Sequence, residues 1–322
     1  MSGMSLGRTA AVSDTGRKRR HNEDTYVLEP PVFAVVDGMG GAKAGEVASE
    51  LAAEALREES REGGSGEDAV ESLIQEANRR VYQRATEDAS TSGMGTTLTV
   101  ALVEDDRVRF GHVGDSRAYL VRDGELIQLT EDHSLVGELV RSGKLAPEDA
   151  ESHPQRSVIT RALGTDPDVD VDTFTQEARP GDIFVLCSDG LYSMVGNSTI
   201  LEIVERNRGD LNAAARALIA AANRAGGDDN ITVVAFEIEA PGDETLSLPG
   251  AAPPEPEPAE EDTLTESDAV PAVSTMVVRP DDVEQPMARQ SEEEAPTTRR
   301  AVVIGLLLLA IVAAVVIYLL SR

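Results

Sequence analysis

Residues 33–41 read "FAVVDGMGG": four apolar residues suited to a buried strand run directly into an aspartate and a glycine-broken turn. The pattern returns as "FVLCSDG" at 184–190 and, more loosely, as "HVGDS" at 112–116. A lone Asp-Gly pair is ordinarily a turn, in which Asp bonds its own backbone and Gly takes positive φ. Here the pairs form a constellation: Asp37-Gly38, Asp115, Asp189-Gly190 and Asp229-Asn230 each border an apolar strand. Strands of one sandwich bring their ends together, and carboxylates gathered there raise one another's pKa unless cations sit among them. Oxygen-only ligands without Cys or His select hard ions, Mg2+ or Mn2+.

Working outward, strand patterns cover residues 8–12, 32–36, 96–103, 107–113, 117–121, 183–187 and 231–238. Helical periodicity covers 46–58, 69–85, 199–208 and 211–225. Strands that follow one another as hairpins, as in "RVRFGHVGDSRAYLVRDGELIQL", favour antiparallel sheets with helices packed outside over an alternating parallel α/β fold. Residues 1–239 read as one domain. Within it, residues 131–164 carry a short amphipathic helix through Leu135, Val136, Leu139 and Val140, and read as a surface subdomain beside the site.

Composition narrows the partners. Of 322 residues, 58 are acidic and 29 are Lys or Arg, a net charge of −29, which argues against nucleic acid because phosphate binding is dominated by basic surface. The single cysteine, Cys187, lies in an apolar strand, so there is no disulfide framework and a reducing compartment fits. Against this acidic background "SDTGRKRRHNED" (13–24) is a local basic cluster, Arg17 to Arg20, closed by Glu23 and Asp24. An arginine there can grip a phosphate through two parallel hydrogen bonds.

The C-terminal part has a different character. Residues 240–300 hold ten of the sixteen prolines, and fifteen acids against four arginines. Such a stretch cannot bury enough apolar surface to fold and is expected to be a disordered, self-repelling tether. Residues 301–320, "AVVIGLLLLAIVAAVVIYLL", carry no charge and match the roughly 20 residues of a bilayer crossing. Arg299 and Arg300 precede them, which by the positive-inside rule favours a single-pass tail anchor with a cytosolic body.

These pieces together resemble the bacterial metal-dependent Ser/Thr protein phosphatases of type 2C. The resemblance covers roughly residues 6–239 and rests on ordered motifs: "SDTGRKRRHNED", "FAVVDGMGGAKAGEVAS", "GMGTTLTVALV", "HVGDSRAYLVRDGEL", "LTEDHS", "HPQRSVITRALG", "LCSDGL" and "GGDDNITVV". It implies an α+β fold, a four-layer α-β-β-α sandwich of two antiparallel sheets flanked by helices, with residues 131–164 as a mobile flap. It implies that Asp37 bridges two Mn2+ or Mg2+ ions, with the Gly38 carbonyl on one of them, and that Asp189 and Asp229 complete the other shell. Glu23 and Asp24 would act through metal-held water, Asp115 would hold a third, weaker ion, Asn230 would support the loop, and Arg19 would bind the phosphate. The catalytic set is then Arg19, Asp37, Asp189 and Asp229, acting on phosphoserine and phosphothreonine by water attack in line at phosphorus. No covalent phosphoenzyme is needed, so Cys187 is expected to be dispensable.

Three positions depart from the family. Met39 stands where eukaryotic members carry a histidine, and Ala42 where many bacterial members do. With neither present, metal-held solvent is expected to protonate the leaving group, with no part for His133 or His153. Ser193 replaces a usual aspartate, which weakens the third metal. His112 reads as structural, His21 and His133 as loop histidines, and Met94 as packing. The expected partners are phosphorylated proteins, with a membrane-anchored Ser/Thr kinase as the natural counterpart. The competing readings are a non-catalytic phospho-binding scaffold of the same fold and a hydrolase of small phosphate esters or nucleic acid.

Overall fold

The computed structural model describes residues 4–40, 44–59, 64–150, 153–240 and 276–277. In chain order its strands begin with Ser5–Asp14 (β1), Asp24–Glu29 (β2) and Val32–Met39 (β3), followed by helices Ala44–Glu59 (α1) and Gly66–Glu87 (α2). Gly95–Thr96 (β4), Leu98–Glu104 (β5), Arg107–Val113 (β6), Arg117–Arg122 (β7) and Glu125–Gln128 (β8) follow; β5–β6 and β7–β8 are hairpins, whereas β6 and β7, expected from the sequence to continue the series, lie in different sheets. Leu135–Arg141 (α3), Pro147–Ala150 (α4) and Val158–Ile159 (β9) occupy the stretch singled out as the flap. Asp172–Glu177 (β10), Ile183–Cys187 (β11), Asp189–Tyr192 (α5), Asn197–Arg206 (α6), Leu211–Ala225 (α7) and Ile231–Glu239 (β12) complete the body, and Met276–Val277 (β13) pairs in parallel with β9.

The strands form two antiparallel sheets, β1-β12-β11-β7-β8 and β10-β6-β5-β3-β2. Period-two side-chain alternation sets the layers. On β3, Val32, Ala34 and Val36 pack against α1 and α2, while Phe33 and Val35 point the other way into the space between the sheets. On β11, Ile183, Val185 and Cys187 meet α5–α7, and Phe184 and Leu186 face the sheet that holds β3. A strand covered on both faces therefore reads as an unbroken apolar run, which is why "FAVV" and "IFVLC" look alike. The result is the α-β-β-α sandwich that the sequence led us to expect.

The middle layer is aromatic. All five phenylalanines lie in it, with Phe33 stacked on Phe236 at 4.4 Å and Phe184 on Phe236 at 5.1 Å between centroids. Each fully buried ring removes apolar area worth about 1.5–3 kcal/mol, so the two sheets are clamped along their length. Leu163, from the end of the flap stretch, packs into the layer beneath α1 and α2.

Besides the two-residue strands β9 and β13, the latter inside the stretch expected to be a disordered tether, three strands depart from the sequence expectation. β2, β8 and β10 ("DTYVLE", "ELIQ", "DTFTQE") lie toward the sheet margins and mix charged or polar residues into the pattern, so they lack a continuous apolar run. No described helix is long and apolar enough to cross a membrane. The span expected at 301–320, all but three residues of the tether at 240–300, and Ala42 lie outside the described residues.

Candidate active site

The strand ends that carry the motif acids lie at one end of the sandwich. Asp24 opens β2 and sits opposite Asp37 near the close of β3, because the register of that hairpin pairs them. In the other sheet Cys187 pairs with Val233, which puts Asp189, just past β11, next to Asp229, just before β12. Asp115 lies in the turn that carries the chain from β6 in one sheet to β7 in the other. Acids distant in sequence thus converge where the sheets meet.

The glycines after these acids have a different cause from the one expected of turns. Neither Gly38 nor Gly190 has positive φ. A Cβ on Gly38 would lie 2.2 Å from the Gly45 carbonyl oxygen and 2.6 Å from that of Glu23; one on Gly190 would lie 2.0 Å from the Asn230 carbonyl oxygen. The pairs are Asp-Gly because backbone segments cross directly behind the acids. Gly16, with φ +79°, has both constraints, since its Cβ would meet the Asp229 carbonyl oxygen at 2.1 Å.

Side-chain bonds hold the ring of acids in place. The Asn230 amide accepts from the Glu23 backbone N–H at 2.8 Å and donates to the Thr15 and His21 carbonyls at 2.9 Å each. It thereby ties the basic loop to the strand that carries Asp229. Asp24 Oδ2 accepts from the hydroxyls of Ser188 at 2.8 Å and Thr232 at 2.7 Å, whereas its Oδ1 is buried with no partner. The Asp37 carbonyl accepts from the Thr96 hydroxyl at 2.7 Å and the Thr97 N–H at 2.9 Å. Arg19 donates to Asp229 Oδ2 at 2.7 Å with the guanidinium still partly open to solvent.

A second set of contacts surrounds Asp115. Tyr192 donates to the Asp115 carbonyl at 2.9 Å, and the Arg117 guanidinium lies 3.6 Å from the centre of the Tyr192 ring while donating both ways to Asp132. Sequence reasoning missed these residues, together with Ser188, Thr232, Thr96 and Thr97. Their signal is faint: Ser188 adjoins Asp189 in "CSDG", Thr232 lies three residues after Asp229 in "DNIT", and Thr96 and Thr97 in "GTTL" have no acid beside them.

Removal from water and mutual repulsion act together on the acids. Asp24 is pushed up to about 6 by burial, against the pull of its two hydroxyl donors. Asp115 is pushed up to about 7, first by burial and then by Asp132. Burial and the neighbouring acids hold Asp37 and Asp189 well above the usual carboxylate range. Glu23 is raised by burial although Arg19 opposes the shift. Burial opposes the charge on Arg19, but Asp229 more than offsets it and its pKa is raised. Without added cations these carboxylates hold protons at pH values where free ones do not.

Does this chemistry fit divalent metal? Among the described residues no group of three His, Cys, Asp or Glu side chains is set to grip an ion directly. Mg2+ and ions like it are bound through one or two carboxylates and otherwise keep their water, so a direct three-residue cage is not required. The partnerless Asp24 oxygen and the repelling set around Asp37 fit a hard cation with its hydration shell. Asp37 with the Gly38 carbonyl, Asp189 and Asp229 would hold the ions, with Glu23, Asp24 and Asp115 around them.

The departures also have structural settings. Met39 packs with Ile159 and Ala162 from the flap stretch, so an apolar plug stands at that position. Ser193 is exposed at the end of α5 and bonds back to the Asp189 carbonyl through its N–H. His112 is fully buried, bonded to Thr99 and the Glu131 carbonyl, and lowered to about 3 by burial. His133 is buried as well: its Nδ1 accepts from the Gly114 N–H, so Nε2 carries the proton and donates to Asp172, and the nearby Arg161 guanidinium bonds that same carboxylate. Both rings are structural.

The family model for protein phosphatase 2C matches residues 20–225. The chain belongs to the protein phosphatase 2C family. A serine/threonine phosphatase stp of Listeria innocua is 41% identical over 236 residues, covering 70% of this chain and 93% of that protein. The crystal structure of the Mycobacterium tuberculosis serine/threonine phosphatase PstP/Ppp matches with a TM-score of 0.69 and 42% identity, over 73% of this chain and all of the other. A PstP catalytic domain in complex with two manganese ions matches with a TM-score of 0.67 and 38% identity, over 73% of this chain and 99% of that one. The protein phosphatase 2C fold, two antiparallel sheets with helices, is therefore that of this chain.

Proposed function

We propose that this chain hydrolyses phosphoserine and phosphothreonine on proteins, using Asp37, Asp189 and Asp229 to hold divalent cations and Arg19 to hold the phosphate. It is a protein-serine/threonine phosphatase and depends on metal, Mn2+ or Mg2+. The observation that carries the site assignment is the set of carboxylates from four strand ends whose charges oppose one another, with Arg19 as the cation facing Asp229, Glu23 and Asp37. When bound, paired divalent ions lower the pKa of water toward neutrality and neutralise charge on phosphoryl oxygens.

The chain's own residues do the rest. Arg19, steadied by Asp229, keeps donors free to grip the phosphoryl group, and fixes it in line with the acids. Asn230 keeps the Arg19 loop and the Asp229 loop at constant separation. Neither buried histidine shuttles a proton, because each is neutral and committed to structural bonds; solvent is the proton donor to the leaving group. The scaffold alternative is disfavoured, because both the phosphate-binding arginine and the acids stand together.

Residues 301–320 are a tail anchor, residues 240–300 its tether, and the body works on the cytosolic face of a membrane, near an anchored Ser/Thr kinase. The uncharged 20-residue run after Arg299 and Arg300 supports this, and sharing a bilayer raises the effective concentration of enzyme and substrate. In vesicles carrying a phosphorylated anchored kinase, removing the anchor is expected to slow dephosphorylation; an unchanged rate refutes the tether's role.

The site itself is tested by Mn2+-dependent release of phosphate from a phosphothreonine peptide. Asp37→Asn and Asp229→Asn are expected to lower kcat by at least about 10²–10³. Turnover persisting in both variants would overturn the assignment.

A further inference from the structure

Beside the phosphate-binding loop lies an open groove of about 450 Å3, lined by Val12, Asp14, Arg17, Arg216, Ile219, Ala220, Asn223 and Arg224. Arg216, Ala220 and Arg224 are spaced i, i+4, i+8 and form one stripe of α7. Arg17 reaches the groove from the basic loop, where its N–H and that of Lys18 are pinned to the Gly227 carbonyl.

The three arginines form no ion pair among the described residues, in a chain with twice as many acids as bases. The contrast with a second groove is direct. There Arg122 is held by Asp182 and Arg208 by Glu205. The one acid in the arginine groove, Asp14, is already committed, accepting from the Gly16 N–H and the Asn223 amide at 2.9 Å each. Arg224 sits in the last turn of α7, where the helix dipole favours a cation, but Arg216 lies two turns earlier and has no such reason to be basic.

We propose that this groove binds acidic residues flanking the phosphorylated serine or threonine of protein substrates. The proposal rests on the phosphatase reading above. Arg17 is two residues from Arg19, so the groove begins within roughly 7 Å of chain from the phosphate grip. An extended substrate advances about 3.3 Å per residue, which puts acids about two to four positions from the phosphorylated residue over the arginines. Exposed charges of this kind act chiefly on encounter, so the effect appears in KM and fades with salt.

The test uses the full chain and its double variant Arg216→Glu/Arg224→Glu with two phosphothreonine peptides, one flanked by Asp and Glu and one flanked by Ala. The expected result is a KM about tenfold higher for the acidic peptide, lost at high salt, with little change for the Ala-flanked peptide. Hydrolysis of para-nitrophenyl phosphate should match the unaltered chain, which also shows that the variant folds. An unchanged KM with turnover intact would overturn the groove and leave the phosphatase reading standing. A lower KM would overturn it too, and would assign the groove to the chain's own acidic tether. Absence of turnover on every phosphopeptide by the unaltered chain would remove the phosphatase reading and the groove together.

Discussion

At the scale of single residues, the site depends on atoms that are missing as much as on those present. Gly190 lies where any Cβ would strike the Asn230 carbonyl, so the acid motif and the loop that positions Asp229 are locked together by close backbone contact. Gly190→Ala is expected to lower stability by about 1–3 kcal/mol through overpacking, read as a reduced Tm, and to weaken Mn2+ affinity because two acid-bearing loops are pushed apart. An alanine variant with unchanged Tm and metal affinity would show that the crossing is not a constraint. In the sequence these glycines were legible as turn formers only. The crossing strand behind each lies more than 30 positions away for Gly190, and a contact of that range leaves no local mark. The acids themselves were legible because each ends an apolar run. Ser188, Thr232 and Tyr192 were not, because a hydroxyl reads as polar surface until its acceptor is known.

At the scale of elements, two-sided burial made β3, β11 and β12 readable, and one-sided or edge positions hid β2, β8 and β10. β6 shows both effects. Its apolar alternation was clear, and His112 within it read as structural, yet the cause is visible only in three dimensions. The ring lies tilted against that of His133, with centroids 4.7 Å apart, and is bonded at both nitrogens, to Thr99 and to the Glu131 carbonyl. With its folded pKa lowered to about 3, His112 stays neutral in the native chain, while the unfolded chain takes up a proton below about pH 6.5. The native state therefore binds fewer protons, and this residue's contribution to stability is lost as pH falls, by about 1.4 kcal/mol per pH unit below 6.5. NMR of the histidine ring protons should show no titration of His112 between pH 8 and 4.5. A midpoint near 6.5 would contradict the burial argument.

At the scale of the whole molecule, the acids at the meeting of the sheets act with the opposite sign. Asp24 at about 6 and Asp115 at about 7 hold protons that the unfolded chain has released, as do Asp37 and Asp189. Their raised values stabilise the metal-free fold below their unfolded pKa values, near 4, and that advantage is lost as pH rises through about 6 to 7. Divalent cations replace the missing protons. Saturating Mn2+ should therefore raise Tm more at pH 7.5 than at pH 5.5; an equal gain at both would mean that the ions bind elsewhere. The charge asymmetry of the chain, and the contrast between body and C-terminal part, were readable from composition, since both are sums over residues. Convergence of the four acid-bearing strand ends was readable only by resemblance, because strand order in a sheet is set by long-range pairing.

The central claim is that distant carboxylates gather to bind hard cations, and calorimetric titration with Mn2+ near pH 7 tests it most directly. In buffers of different ionisation enthalpy, the unaltered chain should bind two ions and release protons as its raised carboxylates give them up, and Asp37→Asn should lose that binding. Binding that survives Asp37→Asn undiminished, or that proceeds with no proton release, would contradict the account.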